Sequence, residues 1–235
     1  MKKLICGFLC VTVGVALADV VESVVATIEV RAITSSLTNT VVAIPGFDLA
    51  TGGELAISNL VKTTNLEAGD KLVAFDGERY ETWTLSAVGG KHWEKTAKKI
   101  TILADGSESD AAGIDASLYT LSVGKGIWLS RTVSGTASPF YVYAQQPEST
   151  STTVRAGATA LVGNPTTDDK SPTITDPAIN DIIVLPQQSG TSKRYQYTGS
   201  KWFFGGTKYD VPPSITAGTG FWYISKGESN VTITW

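Results

Sequence analysis

Two short phrases of the same form constrain the fold of this chain more than any other feature. Residues 124–131 read "GKGIWLSR" and residues 218–225 read "GTGFWYIS", so the first glycines of the two phrases are 94 residues apart. In each phrase a Gly-x-Gly turn leads into an uninterrupted apolar run, which is typical of a strand with both faces covered. The recurrence predicts two units built to one plan.

The segments around these phrases also recur, and in the same order. The first half contains "AGDKLVAFD" (68–76), "ERYETWTL" (78–85), "GKHWEK" (90–95) and, after its phrase, "PFYVYAQ" (139–145). The second half contains "INDIIVLPQ" (179–187), "KRYQYTG" (193–199), "SKWFF" (200–204) and, after its phrase, "NVTITW" (230–235). Short apolar runs between frequent turn residues predict an all-β protein with two tandem, homologous β-sandwich or barrel-like domains.

The predicted strands are the short segments in which apolar or β-branched residues are concentrated. They cover residues 71–75, 80–85, 100–103, 127–130, 140–143, 182–185, 194–198, 221–224 and 231–235. Helical spacing is weak, and the best candidate, residues 54–66, supports no more than one or two turns.

Domain boundaries follow from composition. Residues 1–18 have a basic start, a short apolar run and an A-x-A ending, which predicts a signal peptide cleaved before Asp19. Residues 145–153, "QQPESTSTT", are interpreted as a linker. The first β-domain is therefore assigned to residues 19–150 and the second to residues 151–235.

The sequence predicts an exported protein of the periplasm, the cell surface or the extracellular space. The apolar run before residue 18 is too short to cross a bilayer, and no later segment is apolar enough to form a transmembrane helix. Both cysteines, Cys6 and Cys10, lie in the predicted signal peptide. The mature chain therefore has no thiol for a disulfide, for catalysis or for binding a metal.

Charge and composition argue against several function classes. Without Lys2 and Lys3, 17 basic residues stand against 22 acidic ones, a net charge of −5 that disfavours nucleic-acid binding. His92 is the only histidine, and no G-x-S-x-G phrase accompanies it, so neither a catalytic triad nor a zinc site is expected. We expect no enzyme activity, no catalytic or metal-binding residue and no cofactor.

Aromatic residues offer the only candidate ligand contacts. Trp128 and Trp222, within the repeated phrases, are predicted to anchor the core. Trp83, Trp93 and Trp202 are the candidates for stacking against a sugar ring, the alternative to a role in packing.

Few polar residues recur between the halves. Asp70 and Asp181 each precede a predicted strand, where a carboxylate closes an Asx-turn, so a structural role is expected for both.

The segment "ALVGNP" (160–165), followed by "GTGFW" (218–222), resembles sequences of uncharacterised exported bacterial proteins with repeated β-domains. The first half departs from that pattern, with "AIPG" in place of "VGNP" and Ile127 in place of phenylalanine. The resemblance implies an envelope or surface location and no established activity.

Two functional hypotheses follow. The first is a non-enzymatic structural or adhesive protein of the cell envelope or extracellular space. In this hypothesis residues 19–32, a long strand-type segment, complete their own sheet or are lent to a neighbouring subunit by strand addition. The alternative is a carbohydrate-binding module that holds a surface glycan against exposed aromatic residues.

Overall fold

The fold is all-β and antiparallel throughout the part of the chain that the structure describes. This computed structural model describes residues 26–31, 38–47, 52–58, 66–75, 80–88, 92–95, 100–102, 108–110, 120–132, 139–144, 147, 149–187 and 191–235. These residues contain no α-helix, and so none that is long and apolar enough to cross a membrane. The predicted signal peptide lies outside the described residues.

The strands of the first half precede residue 145. They are β1 (Ala26–Arg31), β2 (Thr38–Ala43), β3 (Leu55–Ala56), β4 (Lys71–Phe75), β5 (Tyr80–Ser86), β6 (His92–Lys95), β7 (Ile100–Ile102), β8 (Glu108–Asp110), β9 (Thr120–Leu121), β10 (Gly126–Arg131) and β11 (Pro139–Ala144).

The strands of the second half begin at residue 151. They are β12 (Ser151–Val154), β13 (Thr159–Gly163), β14 (Thr173–Thr175), β15 (Ile182–Pro186), β16 (Ser192–Tyr197), β17 (Trp202–Phe204), β18 (Thr207–Tyr209), β19 (Gly220–Ile224) and β20 (Val231–Thr234).

The two largest sheets have the same strand order. The first is β2-β10-β4-β5-β6, and the second is β13-β19-β15-β16-β17-β18, which adds one strand at its outer edge. A smaller sheet accompanies each of them, β1-β11 in the first half and β12-β20-β14 in the second. The strand pairs β3-β9 and β7-β8 complete the pairings.

The pairing registers of the two halves also match residue by residue. In the first sheet, Trp128 pairs with Val41 on one neighbouring strand and Val73 on the other. In the second sheet, Trp222 pairs in the same way with Leu161 and Val184, so the two tryptophans occupy equivalent places. Two strands further on, Leu85 pairs with Trp93 in the first sheet, and Tyr197 pairs with Trp202 at the equivalent place in the second sheet. Val30 pairs with Phe140, and Val154 pairs with Val231, in the smaller sheets.

Each half has its own hydrophobic core, to which the large sheet contributes inward-facing residues and other segments, such as β12 and β20 in the second half, contribute the rest. Trp83, Leu85 and Trp93 belong to the first core, and Tyr223, Phe221 and Trp202 belong to the second. Alternation along each strand produces this arrangement, because successive side chains point to opposite faces of a sheet.

Several sequence predictions can be compared with these strands. All nine predicted segments contain a strand, with ends that differ by up to two residues. The candidate helix over residues 54–66 instead begins with β3 and a single 3₁₀ turn at Ile57 and Ser58, and residues 59–65 lie outside the described residues. Residues 151–153, assigned to the linker, form the start of β12. Strand β1 pairs with β11 of its own chain.

The two halves meet along a contact between β2 and β10 on one side and β13 and β19 on the other, here called the seam. Two hydrogen bonds cross it in a reciprocal pattern: Ala43 N donates to Gly218 O at 2.9 Å, and Gly163 N donates to Gly124 O at 2.8 Å. Ala43 and Gly163 hold equivalent register positions opposite Gly126 and Gly220. The seam therefore has the reciprocity of a two-fold interface within one chain.

The Gly-x-Gly phrase is what allows this seam to form. Gly124 and Gly218, the first glycine of each phrase, have φ values of 77° and 71°, and their carbonyls accept the crossing hydrogen bonds. At Gly220, the second glycine, an added Cβ would lie 2.5 Å from Val162 O and 2.6 Å from Val41 Cγ1. No side chain fits there, because the neighbouring strand β13 and Val41 of the other half already occupy the space.

Candidate functional site

The carboxylate of Asp70 is a buried anchor for the chain around it. Its Oδ2 accepts hydrogen bonds from Glu67 N at 3.0 Å and Arg131 Nε at 3.3 Å, and its Oδ1 accepts from Thr132 N at 2.8 Å. The side chain is fully buried, so the predicted turn-closing role extends to holding the end of β10 against the start of β4.

Asp181 makes the equivalent contacts in the second half. Its Oδ2 accepts from Ala178 N at 2.9 Å and from the Tyr223 hydroxyl at 2.6 Å, and its Oδ1 accepts from Lys226 N at 2.6 Å. Burial, followed by the hydrogen bond and the charge of Asp181, raises the pKa of Tyr223 well above its usual range. Each of the two carboxylates accepts these three hydrogen bonds, so both aspartates have the geometry of structural residues.

The three tryptophans predicted as ligand contacts lie inside the cores. Trp83, Trp93 and Trp202 are 0%, 3% and 2% exposed, so none of them presents a ring face to solvent. Their positions on β5, β6 and β17 all face inward, and Trp93 and Trp202 are equivalent in register. A sugar platform made of these three residues is therefore not formed in this structure.

Trp128 and Trp222 are placed differently from the expectation that they anchor the core. Both are only partly buried. Their strand neighbours Ile127, Leu129 and Phe221 are buried instead, because alternation turns the tryptophans to the opposite face. The two tryptophans pair with Val41 and Leu161, the strand residues that pack at the seam.

A cavity of about 830 Å³ lies in the second half and is here called the groove. Its floor is the inner face of the large sheet, where Leu185, Lys193 and Tyr195 lie on β15 and β16. One wall is the segment after β18, including Pro212 and Pro213. Thr40 and Val41 of the first half complete the other side, so the seam also positions the groove.

Tyrosine rings shape the outer part of the groove. The Tyr195 and Tyr209 rings meet edge to face with centroids 5.7 Å apart, and Phe204 supports Tyr195 from the other side at 4.9 Å. Tyr209 is 37% exposed, whereas Tyr195 is buried. Burial, followed by the influence of Tyr209, raises the pKa of Tyr195.

The equivalent place in the first half is closed. Register matching puts Glu81 where the second half has Lys193, and Lys95 where it has Phe204. Glu81 and Lys95 form an ion pair with side-chain exposures of 6% and 9%. Equivalent register positions therefore hold a buried ion pair in the first half and line an open groove in the second half.

None of the groove side chains was among the ligand contacts that the sequence predicts. The alternation in "KRYQY" does place Lys193, Tyr195 and Tyr197 on one face of β16, which was a usable signal. The sequence pattern does not indicate whether that face of β16 is covered, because the segment that forms the groove wall comes from another part of the chain.

No metal centre is present among the described residues, since no group of three or more metal-binding side chains comes together in them. His92 lies at the surface, where its Nε2 is 2.9 Å from Glu94 Oε1. No protein-family model, no curated protein and no solved structure matches the chain.

Proposed function

We propose that the protein is an exported, non-enzymatic structural or adhesive protein of the cell envelope or extracellular space, built from two duplicated β-domains. The observation that supports this proposal most is the seam, where the equivalent N–H groups of Ala43 and Gly163 each donate to a carbonyl of the other half. These backbone hydrogen bonds tie the two halves to each other. A chain whose halves are held together in this way suits a protein that holds or presents a surface.

Duplication accounts for the matching sheets. Strand order, register and buried aspartates agree in the two halves, although few side chains are identical. Two unrelated sheets would have no physical reason to share a register over five strands, because register is set locally by each hydrophobic pattern and its turns.

Export is supported by the amino-acid sequence. The basic start, the apolar run and the A-x-A ending of residues 1–18 satisfy the requirements of a cleaved signal peptide. An oxidising compartment also poses no risk to a mature chain without cysteine.

The test compares the full chain with a chain that lacks residues 2–18, both carrying a C-terminal tag and expressed in a bacterial host. We expect the full chain outside the cytoplasm, with an intact mass that begins at Asp19, and the shortened chain in the cytoplasm. Recovery of both chains in the cytoplasm would overturn the proposed location.

The structural or adhesive role needs a separate measurement. Beads coated with residues 19–235 should adhere to cells or matrix of the producing organism, or the native protein should sediment with its envelope fraction. Beads coated with unfolded protein are the control. Absence of both behaviours would refute the role.

The second candidate function is carbohydrate binding. The tryptophans that motivated it are buried, but the groove offers exposed Tyr209 beside hydroxyl-bearing side chains. The carbohydrate-binding hypothesis therefore rests on the groove and not on the tryptophans.

A further inference from the structure

We propose that the groove binds an acidic saccharide, with the carboxylate of a sugar at Lys193 and the sugar face against Tyr209. The inference goes beyond the structural or adhesive role proposed above and does not depend on it. It rests on four features of the groove: its opening, its charge, its aromatic surface and its polar rim.

Among the described residues, the two halves differ at the position of the opening. In the first half, the equivalent register position is occupied by the buried Glu81–Lys95 ion pair, which lies beside Trp83. In the second half, Lys193 replaces Glu81 and Phe204 replaces Lys95, so the pair is gone. The sheet floor stays in place while the space above it is free. The size of this space falls within the range of small-molecule sites.

The charge of the groove is a single cation. Lys193 is the only charged side chain that lines it, and the ammonium has no ion-pair partner among the described residues. The mature chain is acidic overall, so one positive group inside a groove is a local exception. A single flexible ammonium suits one carboxylate, whereas phosphate groups are usually held by several cations or backbone N–H groups.

The aromatic surface is held in place. Tyr209 is fixed edge to face by Tyr195, which is itself supported by Phe204. An exposed, rigid ring attracts the C–H face of a sugar through dispersion and its quadrupole, with little loss of side-chain entropy on binding. Pro212 and Pro213 line the adjacent wall and limit its backbone motion.

The remaining rim is rich in neutral hydrogen-bonding groups. Ser171, Ser214 and Thr216 contribute hydroxyls, and Gln187 contributes an amide. Hydroxyls and amides both donate and accept, which matches the hydroxyls of a saccharide. A carboxylate-bearing sugar uses all of these features together, whereas a neutral apolar ligand would leave Lys193 and the rim without partners.

The experiment is calorimetric titration of residues 19–235 with trigalacturonate, and with the same trisaccharide after its carboxyl groups have been reduced to alcohols. The two probes have the same rings and differ in charge. We expect binding of the acid form and at least about tenfold weaker binding of the reduced form, since a charge-assisted hydrogen bond is lost. A glycan array with sialylated and neutral glycans extends the comparison to other acidic sugars.

Two variants and one matched control locate the site. Lys193→Gln should weaken trigalacturonate binding about tenfold and leave binding of the reduced sugar unchanged, whereas Tyr209→Ala should weaken binding of both sugars. Lys208→Gln removes a fully exposed charge beside Tyr209 on β18 and should change neither affinity. Circular dichroism checks that each variant is folded.

Three results would overturn the proposal. One is the absence of acidic-sugar binding to folded protein in both the titration and the array. Another is equal affinity for the acid and reduced forms. The third is equal loss in Lys193→Gln and Lys208→Gln, since it would indicate nonspecific charge attraction. Binding of a proline-rich peptide in the groove in place of all sugars would also count against it. Adhesion and recovery in the envelope fraction are measured separately, so a failure to bind acidic sugars does not refute the structural or adhesive role.

Discussion

Substitution of Gly163 by alanine tests the seam most directly. A Cβ atom added at Gly163 would lie 2.5 Å from Ala43 Cα and 3.0 Å from Lys125 O, and Ala43 Cβ would be closer still. Carbon atoms pack favourably at about 3.5–4.0 Å, so the backbones of β2 and β13 would have to separate by roughly 1 Å. Backbone atoms cannot rotate away, so the strain falls on the seam.

The expected cost follows from these contacts. Overpacking typically costs about 1–3 kcal/mol. Separation of the strands would also weaken the hydrogen bonds of Gly163 N and Ala43 N across the seam, each worth about 1 kcal/mol. The free energy of unfolding should therefore fall by about 3–5 kcal/mol, a large share of the stability of an ordinary domain.

The assay is urea denaturation followed by tryptophan fluorescence and circular dichroism. Gly157→Ala is the matched control, because Gly157 has φ +66° and no neighbouring heavy atom within 4 Å of an added Cβ. That change carries only the cost of a left-handed alanine, about 1–2 kcal/mol.

A second variant makes the reasoning falsifiable. Ala43→Gly removes the closest of the clashing atoms, so in the Gly163→Ala background it should recover about 1 kcal/mol, although it destabilises the wild-type protein. The reasoning is refuted if Gly163→Ala costs no more than Gly157→Ala, or if the effects of the Ala43 and Gly163 substitutions are simply additive.

Further predictions concern the buried groups and β1. The pKa of Tyr223 is raised in the folded state by burial, followed by the hydrogen bond and charge of Asp181. The folded state thus keeps a proton that the unfolded chain releases above about pH 10, so this stabilisation is present below that pH and is lost as pH rises. Tyr223→Phe should flatten the alkaline decline in denaturant midpoints, and an unchanged slope would contradict this. Glu81→Gln leaves Lys95 buried without its carboxylate and should lower the free energy of unfolding, measured by urea denaturation, by about 3 kcal/mol. The double substitution Glu81→Leu with Lys95→Met should recover most of this loss. A double variant as unstable as the single one would disprove the pairing argument. Because β1 pairs within its own chain, residues 19–235 should be monomeric in light scattering, and oligomers that vanish on deletion of residues 19–30 would indicate strand donation instead.

Strand positions were predictable because they depend on local patterns. The segments 71–75 and 221–224 were recognised from apolar and β-branched residues alone, and β4 and β19 contain them. Strands β2 and β13 are not among the nine predicted strand segments. Both lie along the seam, where the other half covers their apolar residues, such as Val41 and Leu161.

The tryptophans illustrate the limit of prediction at the site. The order of the recurring segments aligns Trp93 with Trp202, as the register does. It does not indicate which face of each sheet is covered. Trp83 and Tyr195 occupy the same register position in the two sheets. The residue types differ there while the backbone pairing agrees, so comparison of residue types alone could not find this equivalence.

The amino-acid sequence by itself determined the all-β character of this protein, the similar order of its segments and the recurrence of the Gly-x-Gly turns, because alternation and turn chemistry act over a few residues. Tertiary structure alone decided where only glycine fits, since atoms of the other half, such as Val41 beside Gly220, come from distant parts of the chain. It also decided that Glu81 and Lys95 form a buried pair in one half while the equivalent position at Lys193 is open in the other. Coverage of a sheet face depends on where distant segments pack, and no local pattern carries that information.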